Sequence, residues 1–321
     1  MAVVYGPDDV RIEERPVPQP QAGELLVRTY ACGVSGIDVA AESAQRAPFV
    51  LGHEPAGVVA ALGKGEPPVD DAGVPFAVGD RVFVHHHAPC FSCAACRRRD
   101  YVQCTTWRKS KLDPGGVAEY VRVPRENVLD TLRLPDSVSF DDATLIDATG
   151  CAVKALRRSG VRPGDVVFVS GTGALSTIVA RVAQQWGARV VAGDVRAARE
   201  LTEGGGPRVV LCVPGTAEAV RDALALCGAG GTVVMLNPLP IGVAFDTDLN
   251  DFYFRDLQLV ASYACGPDET REALALIAEG VIGAAGVTVG FPFDEAGSAY
   301  RTLSEERKPV VFLDPTLQLI A

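Results

Sequence analysis

Four of the chain's nine cysteines lie close together, and their spacing suits a metal site. Cys90, Cys93, Cys96 and Cys104 are separated by two, two and seven residues. A structural zinc site needs four soft ligands in a tetrahedron, and short spacers let neighbouring sulfur atoms converge. Four protein ligands leave no open position, so the spacing predicts a structural zinc rather than four unrelated buried cysteines. The preceding residues 85–87 are histidines, which we interpret as the polar end of a strand in preference to metal ligands.

A glycine turn further along the chain has the residue types of a dinucleotide site. Gly171 permits a tight turn after an apolar segment, and Gly173 lets the backbone approach a pyrophosphate at a helix N-terminus. Asp194 ends the next apolar segment and is placed to accept hydrogen bonds from ribose hydroxyls. Ser176 stands where the third glycine of the fingerprint would be. The predicted cofactor residues are Gly171, Thr172, Gly173, Ala174, Leu175, Asp194, Arg196, Arg199 and Asn237.

The nature of the nicotinamide cofactor stays open in the sequence. The carboxylate of Asp194 would repel a 2′-phosphate, which slightly favours NAD(H). Arg196 and Arg199 follow directly and are able to clamp a phosphate, so NADP(H) is the alternative. The alternative is that no cofactor binds. The segment would then be an ordinary strand–helix–strand crossover that contains an incidental Gly-Thr-Gly.

The surrounding elements predict an α/β protein of two parts. Residues before about 140 read as short strands and turns, which is typical of a β-rich domain. After a helical segment at 141–159, strands and helices alternate as in a Rossmann coenzyme domain with a parallel sheet. A complete domain of that kind has one more strand–helix pair between Asp194 and Arg208, so we expect five strands and not six.

Composition excludes several classes of function. The net charge is −10 and the longest basic cluster is the arginine triplet 97–99, which disfavours nucleic acid and anionic membranes as partners. No apolar segment has the length of a membrane span, and the chain opens without the pattern of a signal peptide. The sequence therefore predicts a cytoplasmic protein that acts on a small molecule.

Four motifs occur in the order found in one enzyme family. They are Gly52-His53-Glu54, the cysteine spacing, the segment Asp113-Pro114-Gly115-Gly116-Val117-Ala118-Glu119-Tyr120 and the Gly-Thr-Gly turn. With them the chain resembles the zinc-containing medium-chain dehydrogenase/reductase family, in particular its sorbitol-type branch. The resemblance implies a GroES-like catalytic domain of residues 1–147 and 286–321 with a zinc lobe at about 85–110. It also implies a Rossmann domain of residues 148–285, a site in the interdomain cleft, and homodimers or homotetramers.

The chain departs from that family at the catalytic zinc. Members with this zinc carry a cysteine where Ser35 stands, and the residues of their proton relay are replaced by Ile37 and Ala40. His53 and Glu54 are retained, and the remaining ligand position falls on Asp147. Because a neutral serine is a poor zinc ligand beside a thiolate, the sequence favours a degenerate catalytic zinc site. The catalytic candidates implied by the resemblance are Ser35, His53, Glu54 and Asp147.

The resulting hypothesis is an NAD(P)(H)-dependent oxidoreductase that interconverts a secondary alcohol and a ketone on a polyol, sugar or aminocyclitol. The degenerate zinc site favours ketone reduction, because alcohol oxidation needs the alkoxide that zinc stabilises. A biosynthetic reductase, for example in an aminoglycoside-like antibiotic pathway, fits this pattern by analogy. The alternatives are a zinc-dependent polyol dehydrogenase with an intact second zinc and a non-catalytic cofactor-binding protein. The retention of Gly171, Gly173 and Asp194 argues against the last of these.

Overall fold

The computed structural model describes residues 1–6, 9–35, 48–301 and 308–313. The chain divides into two compact units, one formed by Met1–Asp147 with Gly266–Ala321 and the other by Ala148–Cys265. Ile37 and Ala40, which carry the expected loss of the proton relay, lie outside the described residues. No helix within the described ranges is both long and apolar enough to cross a membrane.

Short strands and helices alternate along the described chain. The strands are β1 (Ala2–Gly6), β2 (Asp9–Ile12), β3 (Leu25–Gly33), β4 (Phe49–Val50), β5 (Glu54–Leu62), β6 (Arg81–Phe83), β7 (Tyr120–Val123), β8 (Leu132–Arg133), β9 (Val166–Ser170), β10 (Arg189–Ala192), β11 (Val209–Cys212), β12 (Thr232–Met235), β13 (Gln258–Ala261), β14 (Thr288–Pro292) and β15 (Lys308–Phe312). The α-helices are α1 (Ala94–Arg97), α2 (Thr105–Lys109), α3 (Arg125–Val128), α4 (Phe140–Ala143), α5 (Ile146–Ser159), α6 (Ala174–Gln185), α7 (Val195–Leu201), α8 (Ala217–Leu226), α9 (Leu249–Phe254), α10 (Pro267–Ala278) and α11 (Ala296–Arg301).

The first unit is organised around the long antiparallel pair β3 and β5. Their register runs from Leu25 opposite Leu62 to Gly33 opposite Glu54. The sheet continues from β14 through β15, β3, β5 and β6 to β8, and β7 also pairs with β3. A smaller antiparallel sheet has the order β2-β1-β4. Most of β3 is buried on both faces, because apolar residues occupy both sides of the strand.

The second unit is a parallel sheet of five strands in the order β10-β9-β11-β12-β13. The three central strands are continuous apolar runs and are almost wholly buried, as expected for a parallel sheet covered on both faces. The chain passes from α7 directly to β11, so β10 forms an edge of the sheet. The predicted α/β fold with a shortened, five-stranded Rossmann sheet is confirmed.

The chain returns to the first unit earlier than the sequence suggested. The second unit ends at Cys265 and the first resumes at Gly266, whereas the resemblance implied 286. The helix α10 contacts α4, and Asp142 Oδ1 accepts the backbone N–H of Ala284 at 2.7 Å. The periodicity of a helix alone does not tell which unit that helix packs on.

Candidate active site and cofactor turn

A tight glycine turn presents His53 and Glu54 at the start of β5. Gly52 has a φ of +82°, and a Cβ atom there would lie 2.6 Å from Val117 Cγ2 and 2.7 Å from Cys32 Sγ. The backbone N–H of Gly116 donates to the carbonyl of Gly52 at 2.8 Å. Only glycine satisfies both the left-handed conformation and this close packing. The Gly-Gly pair at 115–116 and Gly52 therefore form one structural unit that orients the two side chains.

Asp147 completes a group of three side chains at this place. His53 Nε2 lies 3.7 Å from Glu54 Oε1 and 3.9 Å from Asp147 Oδ2. One ligand atom from each of the three residues lies within 4.8 Å of the others. His53 and Glu54 are buried, and the Asp147 side chain is 14% exposed. The three residues that the resemblance implies as ligands thus converge, with donor atoms that suit a divalent metal.

Ser35 follows the end of β3. The last residue of that strand, Gly33, pairs with Glu54, so Ser35 leaves the sheet at the end where the three side chains gather. The residue is half-buried. Its position agrees with its assignment as a candidate site residue.

His85 lies against the same group, on the segment that continues β6. Its Nε2 is 3.4 Å from Asp147 Oδ1, and its Nδ1 is 2.7 Å from Asp130 Oδ2. Burial by itself lowers the pKa of His85, but the hydrogen bonds and charges of the two carboxylates outweigh it and raise the pKa to about 10. Burial raises the pKa of Asp130. At neutral pH His85 is therefore an imidazolium between two acidic side chains.

The other two histidines of the triplet stay neutral. Burial, followed by the charges of its neighbours, lowers the pKa of His86 well below its usual value. Burial lowers the pKa of His87 to about 4, although its Nδ1 lies 2.9 Å from the carbonyl of Ser110. The His86 ring lies 5.1 Å from that of His53 and 3.7 Å from that of His87, which packs on Trp107. All four histidines of the chain therefore belong to one cluster.

The four cysteines of the predicted zinc lobe come together in the structure. Cys90 Sγ lies 3.9 Å from Cys96 Sγ and 3.6 Å from Cys104 Sγ, and Cys93 Sγ lies 3.5 Å from Cys96 Sγ. All four are free thiols and not disulfides. Hydrogen bonds from Ser92 lower the pKa of Cys90 to about 5, which favours the thiolate that zinc binds. Four converging sulfur atoms match the ligand set of a structural zinc.

The cofactor turn lies between β9 and α6 of the second unit. Gly171 has a φ of +86°, and Gly173 is the N-terminal cap of α6, so the first backbone N–H groups of the helix point out of the turn. Ser176 is buried and its hydroxyl donates to the carbonyl of Ser170 at 3.2 Å. Serine at the third fingerprint position thus ties the helix to the strand, which is the packing role of the usual glycine.

The residues expected around the adenosine are partly engaged within the protein. Asp194 Oδ1 accepts the backbone N–H of Ala197 at 2.9 Å and caps α7. Arg196 forms an exposed ion pair with Glu200 at 2.8 Å. Arg199 is exposed on the same helix. Asn237 is exposed and donates to the carbonyl of Val213 at 2.7 Å, which joins the loops after β12 and β11.

Comparison with known proteins places the chain in a family. Residues 21–136 match the model of the alcohol dehydrogenase GroES-like domain. Sorbitol dehydrogenase of Bacillus subtilis (strain 168) is 27% identical over 287 residues, which cover 77% of this chain and 78% of that protein. The alcohol dehydrogenase TADH from Thermus sp. ATN1 superimposes with a TM-score of 0.84 at 27% identity, covering 98% of this chain and 99% of that one. Residues 21–136 therefore belong to the alcohol dehydrogenase GroES-like domain family, and over nearly its whole length the chain is similar to alcohol and polyol dehydrogenases.

A further family member bears on the cofactor. A structure described as a zinc-binding dehydrogenase from Sinorhizobium meliloti 1021, bound to NADP, has a TM-score of 0.82 at 25% identity and covers 97% of this chain and 98% of that one. Taken with the other relatives, this similarity makes the chain an oxidoreductase of the alcohol and polyol dehydrogenase type. NAD(P) is the cofactor class of its structural relatives.

The buried contacts of His85 with Asp130 and Asp147 could not be read from the sequence motifs. The histidine triplet was visible, but its interpretation as a polar strand end does not describe His85, which is 2% exposed. Asp130 is fully buried and belongs to no motif. The available signal was a histidine directly after three buried apolar residues, Val82, Phe83 and Val84.

Proposed function

We propose that this protein is an NAD(P)H-dependent reductase that converts a ketone on a polyol, sugar or aminocyclitol into a secondary alcohol in a biosynthetic pathway. The observation that supports this is the group of His53, Glu54 and Asp147 beside a serine instead of a cysteine. The turn of Gly171 and Gly173 would hold NAD(P)H, which would supply the hydride for the carbonyl carbon and become NAD(P)⁺. The protein would supply the proton for the carbonyl oxygen, so that the ketone is reduced to the alcohol.

The side chains of the group suit the proton step. A general acid must lie within hydrogen-bonding reach of the substrate oxygen and carry a proton near neutral pH. His53 Nε2 lies 3.7 Å from Glu54 Oε1 and 3.9 Å from Asp147 Oδ2, and histidine is the side chain best suited to proton transfer near neutral pH. We assign His53 as the proton donor, with Glu54 and Asp147 orienting its ring. We assign Ser35 as a further hydrogen-bond donor to the substrate oxygen.

A zinc-dependent polyol dehydrogenase is the second candidate, and one observation favours it. The ligand atoms of His53, Glu54 and Asp147 lie within 4.8 Å of one another, so nitrogen and oxygen donors for a metal are in place. A bound zinc would polarise the carbonyl or alcohol oxygen of the substrate. These three residues would hold it, and Ser35 replaces the thiolate that strengthens such a site in the family.

Initial rates of ketone reduction and of alcohol oxidation test the direction of the reaction and the class of substrate. NADH and NADPH oxidation is followed with fructose, xylulose and an oxidised inositol, and NAD⁺ and NADP⁺ reduction with sorbitol, xylitol and inositol. The proposal expects faster ketone reduction without added zinc. Alcohol oxidation that dominates near neutral pH and disappears with a chelator would favour the zinc-dependent dehydrogenase.

The cofactor preference is tested at Asp194, and we expect NADH to bind slightly more tightly than NADPH. The carboxylate repels a 2′-phosphate, by about 1 kcal/mol at an effective dielectric near 20, and the ion pair with Glu200 occupies Arg196. Fluorescence titration should show that Asp194→Ala strengthens NADPH binding and weakens NADH binding. A wild-type preference for NADPH would assign the phosphate to Arg199 and Arg196.

The assembly we propose is a homodimer or homotetramer. Large apolar side chains of the second unit are strongly exposed, namely Ile241, Leu249, Tyr253, Phe254 and Tyr263. Exposed apolar groups of this kind commonly mark an interface. Light scattering after size-exclusion chromatography decides the oligomeric state, and a monomer would contradict the proposal.

A further inference from the structure

We infer that His85 is a positioning residue of the active site: held by Asp130, it fixes the carboxylate of Asp147. The inference rests on the proposed function, in which Asp147 supports the reacting group. It assigns a role to two buried residues that neither the cysteine lobe nor the cofactor turn requires.

The contacts follow one another in a line. Asp130 Oδ2 lies 2.7 Å from His85 Nδ1, and His85 Nε2 lies 3.4 Å from Asp147 Oδ1. The other oxygen of Asp147, Oδ2, lies on the side of His53, at 3.9 Å from its Nε2. His85 therefore contacts the oxygen of the Asp147 carboxylate that does not face His53. A carboxylate with one oxygen held in this way presents the other in a fixed direction.

The ring of His85 is itself fixed on several sides. Asp130 is fully buried, and its second oxygen Oδ1 lies 3.8 Å from Arg271 Nη1. The buried side-chain amide of Asn127 donates to the carbonyls of both His85 and His86 at 2.9 Å. A histidine whose Nδ1–H is held by a carboxylate directs its Nε2–H along one line. Here that line ends on Asp147.

This contact adds a restraint on the orientation of Asp147. The residue is in the first turn of α5, and its side chain is less enclosed than the others of the group. A misplacement of about 1 Å in a reacting group can cost on the order of 100-fold in rate. The buried ring of His85 behind the carboxylate opposes such a displacement, whether the group acts on a proton or on a metal.

Two substitutions at position 85 separate positioning from packing. In His85→Asn the amide nitrogen occupies about the place of Nδ1, so it can still donate to Asp130 but does not reach Asp147. In His85→Gln the amide nitrogen occupies about the place of Nε2, so it reaches Asp147 but leaves Asp130. We expect kcat with the substrate that the wild type reduces to fall about 10- to 100-fold in His85→Asn. It should fall only a few-fold in His85→Gln.

His87→Asn is the matched control. The same substitution two residues later keeps a donor toward the carbonyl of Ser110 and leaves the contact between His85 and Asp147 untouched. Its kcat should remain that of the wild type. If His85→Asn and His85→Gln lose turnover equally, in step with their melting temperatures, His85 has only a packing role and the inference is overturned.

A double-mutant cycle tests the contact without any turnover. The melting temperatures of His85→Asn, Asp147→Asn and the double variant are compared with that of the wild type. If His85 holds Asp147, the double variant loses clearly less than the sum of the two single losses. Additive losses would overturn the inference. A wild type that reduces no ketone would instead contradict the proposed function, while the cycle would still decide whether His85 holds Asp147.

Discussion

At the scale of single residues, the exchange of a thiolate for a hydroxyl at Ser35 defines this site. His53, Glu54 and Asp147 converge, so three of the four positions of the family's catalytic zinc site are already arranged. A serine hydroxyl binds zinc weakly compared with a cysteine thiolate. The metal affinity of the whole group therefore depends on one sulfur atom.

The variant Ser35→Cys should restore tight zinc binding. Elemental analysis of the purified wild type is expected to give about one zinc per chain, in the four-cysteine lobe. Ser35→Cys should raise this to about two, and Ser35→Ala, the control, should leave it unchanged. Two tightly held zinc ions in the wild type, or no gain in Ser35→Cys, would contradict the degenerate-site interpretation.

The buried neutral His87 makes the protein sensitive to acid. Its pKa in the folded state is about 4, below the ordinary value of 6.5, so the unfolded chain binds the proton more readily. The contribution of neutral His87 to the free energy of unfolding is full above pH 6.5 and is lost as the pH falls toward 4. Denaturant unfolding at a series of pH values should show a loss of unfolding free energy over that range in the wild type, to which His87 contributes up to about 3 kcal/mol.

The substitution His87→Asn should remove this part of the pH dependence. Asparagine keeps a donor for the carbonyl of Ser110 but does not titrate. The absolute stability of the variant falls because the ring packed on Trp107 is lost. An unchanged slope of stability against pH between 6.5 and 4 would show that His87 is not the titrating group.

At the scale of elements, the glycine turn before β5 holds the site together. Alanine at Gly52 would combine a left-handed backbone with a contact of 2.6 Å to Val117. Gly52→Ala should therefore cost about 3 kcal/mol of unfolding free energy. Gly73→Ala is the control, because Gly73 has a similar φ of +79° but meets no atom within 4 Å. Equal losses in the two variants would show that packing against Val117 contributes nothing.

Elements with a strong local signal could be predicted from the sequence. The apolar runs of β9, β11 and β12 and the short connection after Asp194 were sufficient to predict a five-stranded sheet. Residues that belong to motifs, such as His53 and the four cysteines, do lie in groups of candidate ligands, and their role as metal ligands stays a prediction. These features depend on residue type and spacing within short segments.

Contacts between distant segments could not be predicted in the same way. Asp130 lies in contact with His85 although 45 residues separate the two in the chain. The helix α10 packs on α4 although it follows the strands of the other unit. Neither contact leaves a periodic or compositional signal, since both depend on how whole elements pack.

At the scale of the whole molecule, the chain combines a parallel coenzyme sheet with a β-rich unit that carries every histidine. The coenzyme sheet holds the residues expected to bind NAD(P), from Gly171 to Asn237. The first unit holds the group of His53, Glu54 and Asp147 and the four-cysteine lobe. The proposed function assigns cofactor binding to the second unit and the proton step to the first.

The most direct test of this division is to compare turnover with cofactor affinity in Asp147→Asn. The substitution should lower kcat for ketone reduction by about 100-fold or more, because the buried carboxylate supports the proton donor His53. The dissociation constant of NADH should stay that of the wild type, and Asp141→Asn on α4 should change neither quantity. A variant Asp147→Asn that reduces the ketone as fast as the wild type would contradict the assignment of the active site.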